Sequence, residues 1–230
     1  MFQQIKRDIQ AVFERDPAAR TITEVLFCYS GLHAIWWHRL SNRLWRWELP
    51  LTARFISQLA RWLTGIEIHP AAKIGEGLFI DHGMGVVVGE TAELGRNVTL
   101  FQGVTLGGTG KEKGKRHPTL GDNVLIGAGA KVLGSFKLGD NVLVGSNAVV
   151  LQPLPSNSTA VGVPAEVVRL NGKPPQLLAH DKLPDPVHEC LKMMQERIGA
   201  LEQRIQELET ELRSGEETRN STKQQRNPCR

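Results

Sequence analysis

A histidine between an acid and a glycine is the first feature of this sequence that could do chemistry. His82 follows Asp81 and precedes Gly83. Histidine can take up and return a proton near neutral pH, because the ordinary pKa of its imidazole lies in that range. If the carboxylate of Glu67 reached the far ring nitrogen, it would fix the tautomer and stabilise an imidazolium. His82 is therefore a candidate general base, although a histidine that only caps a turn fits this segment equally well.

A second candidate pair, Arg116 and His117, ends a long polar segment at 107–118. An arginine can hold a carboxylate through two parallel hydrogen bonds, and the adjacent histidine supplies a second imidazole. Three lysines of the same segment are interpreted as a solvated face. The glycines at its start resemble a phosphate-binding loop, but the pattern lacks the helix that should follow such a loop.

These candidates interrupt a repeat in which one large aliphatic residue returns at every sixth position. The interval lengthens between Ile80 and Val88 and again between Leu106 and Leu120. A six-residue period fits neither an α-helix nor a single strand, but it is typical of short strands joined by tight bends in a solenoid. We predict a parallel β-helix catalytic domain over residues 66–170, with glycines after several aliphatics as turn residues. The aliphatic positions are Ile68, Ile74, Ile80, Val88, Leu94, Leu100, Leu106, Leu120, Ile126, Val132, Leu138, Val144 and Val150.

The two interruptions are expected to be loops that hold substrate on this rigid support. Zinc bound by three histidines, His69, His82 and His117, is the alternative to acid–base chemistry, since some β-helices of this kind hold zinc in that way. No two of these histidines have the close spacing that would place a pair of ligands on one turn. We therefore expect no metal.

Helical patterns precede the repeat. Apolar residues at helical spacing predict helices over 2–15, 23–49 and 51–63. Tryptophans and arginines interleave in the second of these, and we interpret them as packing against neighbouring helices or a subunit instead of a membrane surface. Residues 1–65 are therefore predicted to be an N-terminal helical region, which makes the chain α+β in class.

The part of the chain after the repeat has a different character. Residues 171–186 are rich in proline and are predicted to be a linker. Apolar residues at alternating spacings of four and three over 187–213 are typical of a coiled-coil helix. The polar residues 214–230 are predicted to be disordered.

The composition of the 230 residues argues against several functions. An apolar content of 40% is enough for a folded core, and the net charge of +4 is scattered or confined to one loop, so we expect no nucleic-acid partner. The charged N-terminus does not resemble a secretory signal and no apolar run approaches the length of a membrane span, so we expect no membrane partner. Three widely spaced cysteines without a CxxC pair indicate a cytoplasmic protein.

Several motifs together resemble the serine acetyltransferase family of hexapeptide-repeat acyltransferases. They are IHPAAKIGEG, DHGMGVVVGET, GVTLGGTGK, RHPTLGDNV and IGAGAKVLG, and the resemblance extends upstream through RDIQAVFERDPA and GLHAIWWHRLSNRLW. It implies a left-handed β-helix and an enzyme that transfers acetyl from acetyl-CoA to the hydroxyl of L-serine. That reaction gives O-acetyl-L-serine and CoA and begins cysteine biosynthesis.

The resemblance also implies roles for individual residues. Many members of the family have aspartate at the position of Glu67. The co-substrate is acetyl-CoA, and no permanently bound cofactor is implied. Carried over by motif, the residues are His82 and Glu67 for catalysis, Asp16, Asp81, Arg116 and His117 for serine, and Gly108, Ala128 and Ser146 for CoA.

Family members form homotrimers whose sites are shared between subunits, so the resemblance implies a trimer here. Longer members pair two trimers through an additional N-terminal helical region and end in an isoleucine that binds cysteine synthase. This chain lacks most of that region and ends Asn-Pro-Cys-Arg, so neither a higher oligomer nor a cysteine synthase complex is implied. Two other functions remain open from the residues alone: acetylation of a sugar or xenobiotic, and a non-catalytic trimeric scaffold.

Overall fold

The computed structural model describes residues 2–110, 113–170 and 191–207. Four helices begin the chain: α1 Phe2–Arg15, α2 Ile22–Cys28, α3 Ser30–Arg46 and α4 Pro50–Thr64. The first and last agree with the sequence prediction. The single helix predicted over 23–49 is wrong, because the chain breaks at Tyr29, whose backbone is extended with φ −98° and ψ 97°.

The repeat forms a parallel β-helix, as predicted, and this β-helix has three faces. Each coil before the last contributes one short strand to each face, so strands three apart in sequence pair in parallel within the described residues. The strands of face 1 are β1 Glu67–Ile68, β4 Val87–Val88, β7 Thr105–Gly107, β10 Lys131–Leu133 and β13 Val149–Val150. Those of face 2 are β2 Lys73–Ile74, β5 Glu93–Leu94, β8 Thr119–Leu120 and β11 Lys137–Leu138. Those of face 3 are β3 Phe79–Ile80, β6 Thr99–Leu100, β9 Leu125–Ile126, β12 Leu143–Val144 and β14 Ser158–Val161, with β15 Glu166–Leu170 pairing antiparallel to β14. In the described part of the chain, the last coil has only an isolated bridge, at Leu154, on face 2.

The core of the β-helix is a column of the repeated aliphatic side chains. On face 1, Ile68 pairs with Val88, Val88 with Leu106, and the column continues in register through Val132 to Val150. All five are buried. Burial of one such side chain contributes roughly 1.5–3 kcal/mol, so the six-residue repeat stabilises the fold at every coil.

The glycines that follow the aliphatics were predicted as turn residues, but their backbones are not left-handed. A Cβ on Gly75 would lie 2.4 Å from the carbonyl oxygen of Gly95 in the next coil, so these glycines permit close stacking of coils. Left-handed positions fall two residues later and are often asparagines, such as Asn97 and Asn123. Their side chains hydrogen-bond along one edge, with Asn97 Nδ2 3.3 Å from Asn123 Oδ1. Asparagine tolerates this backbone because its short polar side chain bonds locally.

The N-terminal helices dock on face 3 near its first strand. Phe79 packs in a buried cluster with Val12, Val25 and Leu32. Arg15, only 8% exposed, donates hydrogen bonds to the carbonyl oxygens of Gly77 and Val98, among other acceptors. These contacts fix the helices beside the turn that follows Ile80.

A helix at 191–207 belongs to a second compact unit. The apolar residues predicted for its seam, such as Leu191, Ile198 and Ile205, are about half exposed on this helix. The predicted linker 171–186, residues 187–190 and 208–213 of the predicted coiled coil, and the predicted disordered tail 214–230 lie outside the described residues. In the described ranges, none of the helices has the length and apolarity needed to cross a bilayer.

Candidate active site

The first candidate cluster lies on the edge where the chain turns from face 3 to face 1. We call it the His82 edge; it comprises residues 81–86, 101–104, 127–130 and 145–148. Its first turn is longer than the others and has consecutive left-handed residues, His82 with φ 57° and Gly83 with φ 75°. The His82 side chain is 74% exposed, and its Nε2 lies 3.9 Å from Oδ1 of Asp81. An exposed imidazole beside a carboxylate is accessible to a substrate hydroxyl.

Glu67 lies in the coil directly before this turn. The N–H of Gly85 donates to the carbonyl oxygen of Gly65 at 2.9 Å, so the turn stacks on the segment that leads into Glu67. The Glu67 carboxylate is 3.1 Å from the guanidinium of Arg61 in α4. Among the described residues, the carboxylate that lies beside the imidazole is that of Asp81, whereas Glu67 pairs with Arg61.

Asp16 reaches the same edge from the end of α1. The hydroxyl of Tyr29 donates to Asp16 Oδ2 at 2.6 Å, and the N–H of Ala18 donates to Oδ1 at 2.7 Å. Asp81 also lies close enough to Tyr29 to act on it electrostatically. The structure thus links Asp16 to Tyr29, which also experiences the charge of Asp81, the residue beside His82. Two carboxylates near one another would suit a cation.

The second cluster lies on the edge between face 1 and face 2. We call it the Arg116 edge; it comprises residues 69–72, 89–92, 108–110 and 113–118. Arg116 forms an ion pair with Glu90. The backbone N–H groups of Arg116 and His117 both donate to the Thr91 hydroxyl oxygen at 3.0 Å. Glu90 and Thr91 therefore hold the end of the long loop against the preceding coil.

The His117 ring is buried and held in one orientation. Its Nδ1 lies 3.2 Å from the backbone nitrogen of Thr91, which donates to it, and 2.9 Å from the Thr91 hydroxyl. Because Nδ1 accepts these bonds, the neutral ring carries its proton on Nε2. Burial, with a smaller effect from Arg116, lowers the pKa of His117. His117 is consequently a neutral donor at pH 7.

His69 lies beneath this cluster. Its Nδ1 accepts the N–H of Ala71 at 3.1 Å, and its ring meets Trp45 edge to face with centroids 5.2 Å apart. Burial lowers the pKa of His69 to about 4, with Arg54 the next contributor. With both histidines neutral, the positive charges beside His117 are those of Arg116 and, with a smaller effect, Lys115.

The two clusters lie on different edges of one chain. The residues predicted for CoA divide in the same way. Ala128 and Ser146 lie on the His82 edge, where the N–H of Asn147 donates to the Ala128 carbonyl oxygen at 2.8 Å. Gly108 lies on the Arg116 edge, where a Cβ would be 3.1 Å from the Arg116 carbonyl oxygen. His82 and Arg116 are therefore separated by face 1 of the β-helix.

Sequence reasoning missed Glu90, Thr91 and Tyr29. The first two could have been found from the repeat, because Glu90 precedes Leu94 by the same number of residues as Arg116 precedes Leu120. Tyr29 gave no such signal, since its position fits the helical pattern. Of the histidines weighed as zinc ligands, His69 and His117 share one edge and His82 lies on the other. Among the described residues, no three potential ligands are grouped to hold a metal ion.

A parallel β-helix built from hexapeptide repeats is the architecture of the hexapeptide-repeat acyltransferases. The family model for the bacterial transferase hexapeptide (six repeats) matches residues 117–152, and that for the serine acetyltransferase N-terminal region matches residues 1–36. A serine acetyltransferase of Staphylococcus aureus is 55% identical over 199 residues, which cover 86% of this chain and 93% of the relative.

Solved structures agree with these matches. The serine acetyltransferase of Neisseria gonorrhoeae, in complex with serine, has a TM-score of 0.71 and 42% identity over 73% of this chain and 69% of its own. The serine acetyltransferase of Brucella abortus, in complex with coenzyme A, has a TM-score of 0.72 and 43% identity over 74% of this chain and 68% of its own. The chain belongs to the serine acetyltransferase family. Its activity is serine O-acetylation, and acetyl-CoA is its co-substrate.

Proposed function

We propose that His82 is the general base of this acetyl transfer. Its exposed imidazole takes the proton of the serine hydroxyl while the hydroxyl oxygen forms a bond to the thioester carbon of acetyl-CoA. The carbon–sulfur bond then breaks, and the imidazolium returns the proton to the departing thiolate. The observation that supports this assignment is the His82 turn itself. The backbone of His82 is left-handed there, and its side chain is exposed to solvent beside Asp81.

Glu67 is proposed to orient His82. The His82 turn stacks on the coil that leads into Glu67, and the Arg61 guanidinium lies 3.1 Å from its carboxylate. A carboxylate on the far imidazole nitrogen would fix the tautomer and stabilise the imidazolium. Because such a group acts through the base, Glu67→Gln should lower kcat less than removal of His82.

The charged ends of serine are assigned to opposite charges on the two edges. Asp16 and Asp81 receive the ammonium on the His82 edge, and Arg116 with the Nε2–H of His117 receives the carboxylate on the Arg116 edge. Since these edges are separated within one chain, the site is completed by a second copy in a homotrimer. CoA then lies between two subunits, with Ala128 and Ser146 on one wall and Gly108 on the other.

The reaction is tested by thiol release from acetyl-CoA with L-serine, 3-hydroxypropionate and a galactoside as acceptors. 3-Hydroxypropionate keeps the hydroxyl and the carboxylate of serine but lacks its ammonium. Of the three acceptors, we expect only L-serine to give thiol release with the parent protein. We expect the His82→Asn variant to lose this activity. Turnover of the galactoside with none of L-serine would contradict the proposal.

Sharing of the site between subunits is tested with mixed trimers of His82→Asn and Arg116→Ala. Each variant alone lacks one half of every site. After co-expression at equal levels, about a quarter of the interfaces pair an intact His82 with an intact Arg116, so about a quarter of parental activity should return. If mixing restores nothing although tagged subunits co-purify, both halves belong to one chain and the shared site is wrong.

We also propose that the protein works in the cytoplasm. Its Cys28 is an exposed free thiol, and a reducing compartment keeps such thiols unoxidised. Fractionation of cells that produce the tagged chain would locate it, and recovery outside the cytoplasmic fraction would contradict this assignment.

A further inference from the structure

The break between α2 and α3 connects two separate parts of the candidate serine site. The hydroxyl of Tyr29 donates to Asp16. The hydroxyl of the next residue, Ser30, lies 3.4 Å from the carbonyl oxygen of His82, to which it donates. The residue after that, Gly31, packs so closely on the strand before Asp81 that a Cβ would lie 2.1 Å from the carbonyl oxygen of Ile80. Three consecutive residues therefore contact the Asp16 segment and the His82 turn.

The Tyr29 contact is specific to one carboxylate oxygen. Asp16 Oδ1 is occupied by the N–H of Ala18, which leaves Oδ2 to be held by the Tyr29 hydroxyl at 2.6 Å. Burial of the phenol, followed by its bond to Asp16, raises the pKa of Tyr29. The hydroxyl consequently stays protonated at working pH and remains a donor.

The helix break is what directs Tyr29 toward Asp16. A continuous helix through 22–46 would carry residue 29 in helical geometry, whereas Tyr29 has an extended backbone and begins a new helix at Ser30. The side chain is half buried and packs against the cluster that contains Val12 of α1 and Phe79 of the β-helix. Loss of helical hydrogen bonds at this point is a cost that the contact with Asp16 helps to offset.

We propose that Tyr29 is a positioning residue for serine recognition, whose hydroxyl holds the Asp16 carboxylate where it receives the substrate ammonium. This inference rests on the proposed role of Asp16. Tyr29 does not contact the reacting atoms. Its removal therefore affects the binding of serine more than the chemical step or the binding of acetyl-CoA.

Steady-state kinetics of Tyr29→Phe test the role without removing the ring. We expect the KM for L-serine to rise about tenfold, near the lower end of what the loss of a hydrogen bond to a charged group produces. The KM for acetyl-CoA should change less than twofold. The matched control is Thr21→Val, which removes the hydroxyl that caps the other end of α2 by accepting the N–H of Glu24 at 3.2 Å. If both variants raise the two constants in parallel, Tyr29 serves only the fold and the proposal is overturned.

A second measurement uses the fact that Tyr29 is the only tyrosine of the chain. Full-length protein labelled with 3-fluorotyrosine gives one ¹⁹F resonance that reports this side chain directly. In the presence of CoA, L-serine should shift the resonance, whereas 3-hydroxypropionate, which lacks the ammonium, should not. A resonance that L-serine leaves unmoved would overturn the proposal even if the kinetic constants change.

Asp16→Asn separates this inference from the proposed function. If Asp16→Asn raises the KM for serine and Tyr29→Phe does not, the ammonium site stands and the role of Tyr29 falls. If Asp16→Asn leaves the KM for serine unchanged, the assignment of Asp16 itself is wrong. In the double variant, the effect of Tyr29→Phe should disappear, because its hydroxyl acts through the charged carboxylate.

Discussion

Replacement of His82 by asparagine separates chemistry from folding at this position. His82 has a left-handed backbone with φ 57°, and Asn147 on the same edge has the same φ. Asparagine adopts this conformation more readily than alanine, which would add strain of order 1 kcal/mol. The imidazole is 74% exposed, so its removal leaves no cavity. We expect the free energy of unfolding to change by less than about 0.5 kcal/mol.

The activity of His82→Asn should fall much further than its stability. Loss of a general base costs about 10²–10⁴ in kcat, which is about 2.7–5.5 kcal/mol in the activation free energy. Thiol release at saturating L-serine and acetyl-CoA measures kcat, and calorimetry on the same sample measures Tm. A kcat within fivefold of the parent at unchanged Tm would refute the role of His82. A large parallel fall in Tm would instead attribute the lost activity to the turn.

Three further predictions concern the Arg116 edge. Arg116→Lys should raise the KM for L-serine more than that for acetyl-CoA, since lysine keeps the charge and loses the paired donors; a rise confined to acetyl-CoA would place Arg116 at the co-substrate. Gly89→Ala should lower the free energy of unfolding by about 1–3 kcal/mol and raise the KM for serine, because the new Cβ would lie 2.0 Å from Cδ2 of the buried His117. An unchanged free energy of unfolding together with an unchanged KM would contradict this close packing of Gly89 on His117. Arg116 lowers the pKa of Glu90 from 4.5, so their pair stabilises the fold above that pH and ceases to do so as pH falls through the lowered value. In urea titrations, Glu90→Gln should therefore be less stable than the parent at pH 7 by up to about 1 kcal/mol. A difference that did not diminish as the pH was lowered progressively from 4.5 until the parent unfolds would show that the pair is not its source.

The sequence by itself determined the architecture and identified the main candidate residues of the site. The six-residue period predicts a solenoid because each coil must bury its aliphatics on the same inner column, as Val88 and Leu106 do. Asp81 with His82, and Arg116 with His117, were visible because both pairs lie where this period is interrupted. The local sequence is sufficient for such inferences. Each repeat packs only against its neighbours, so the spacing of its aliphatic residues is enough to predict the fold.

Only the tertiary structure decided how these residues are grouped. The period does not say how many faces a coil has, and the three-faced coil is what separates His82 from Arg116 within one chain. The helix break at Tyr29 was equally hidden, because the contacts made there, to Asp16 and to the end of β3, are with residues distant in sequence. Contacts of this kind depend on where distant segments meet after the coils close. Helical spacing indicates only which side chains share a face of a helix. It could not predict that the helix would be interrupted at Tyr29, where the chain contacts distant segments.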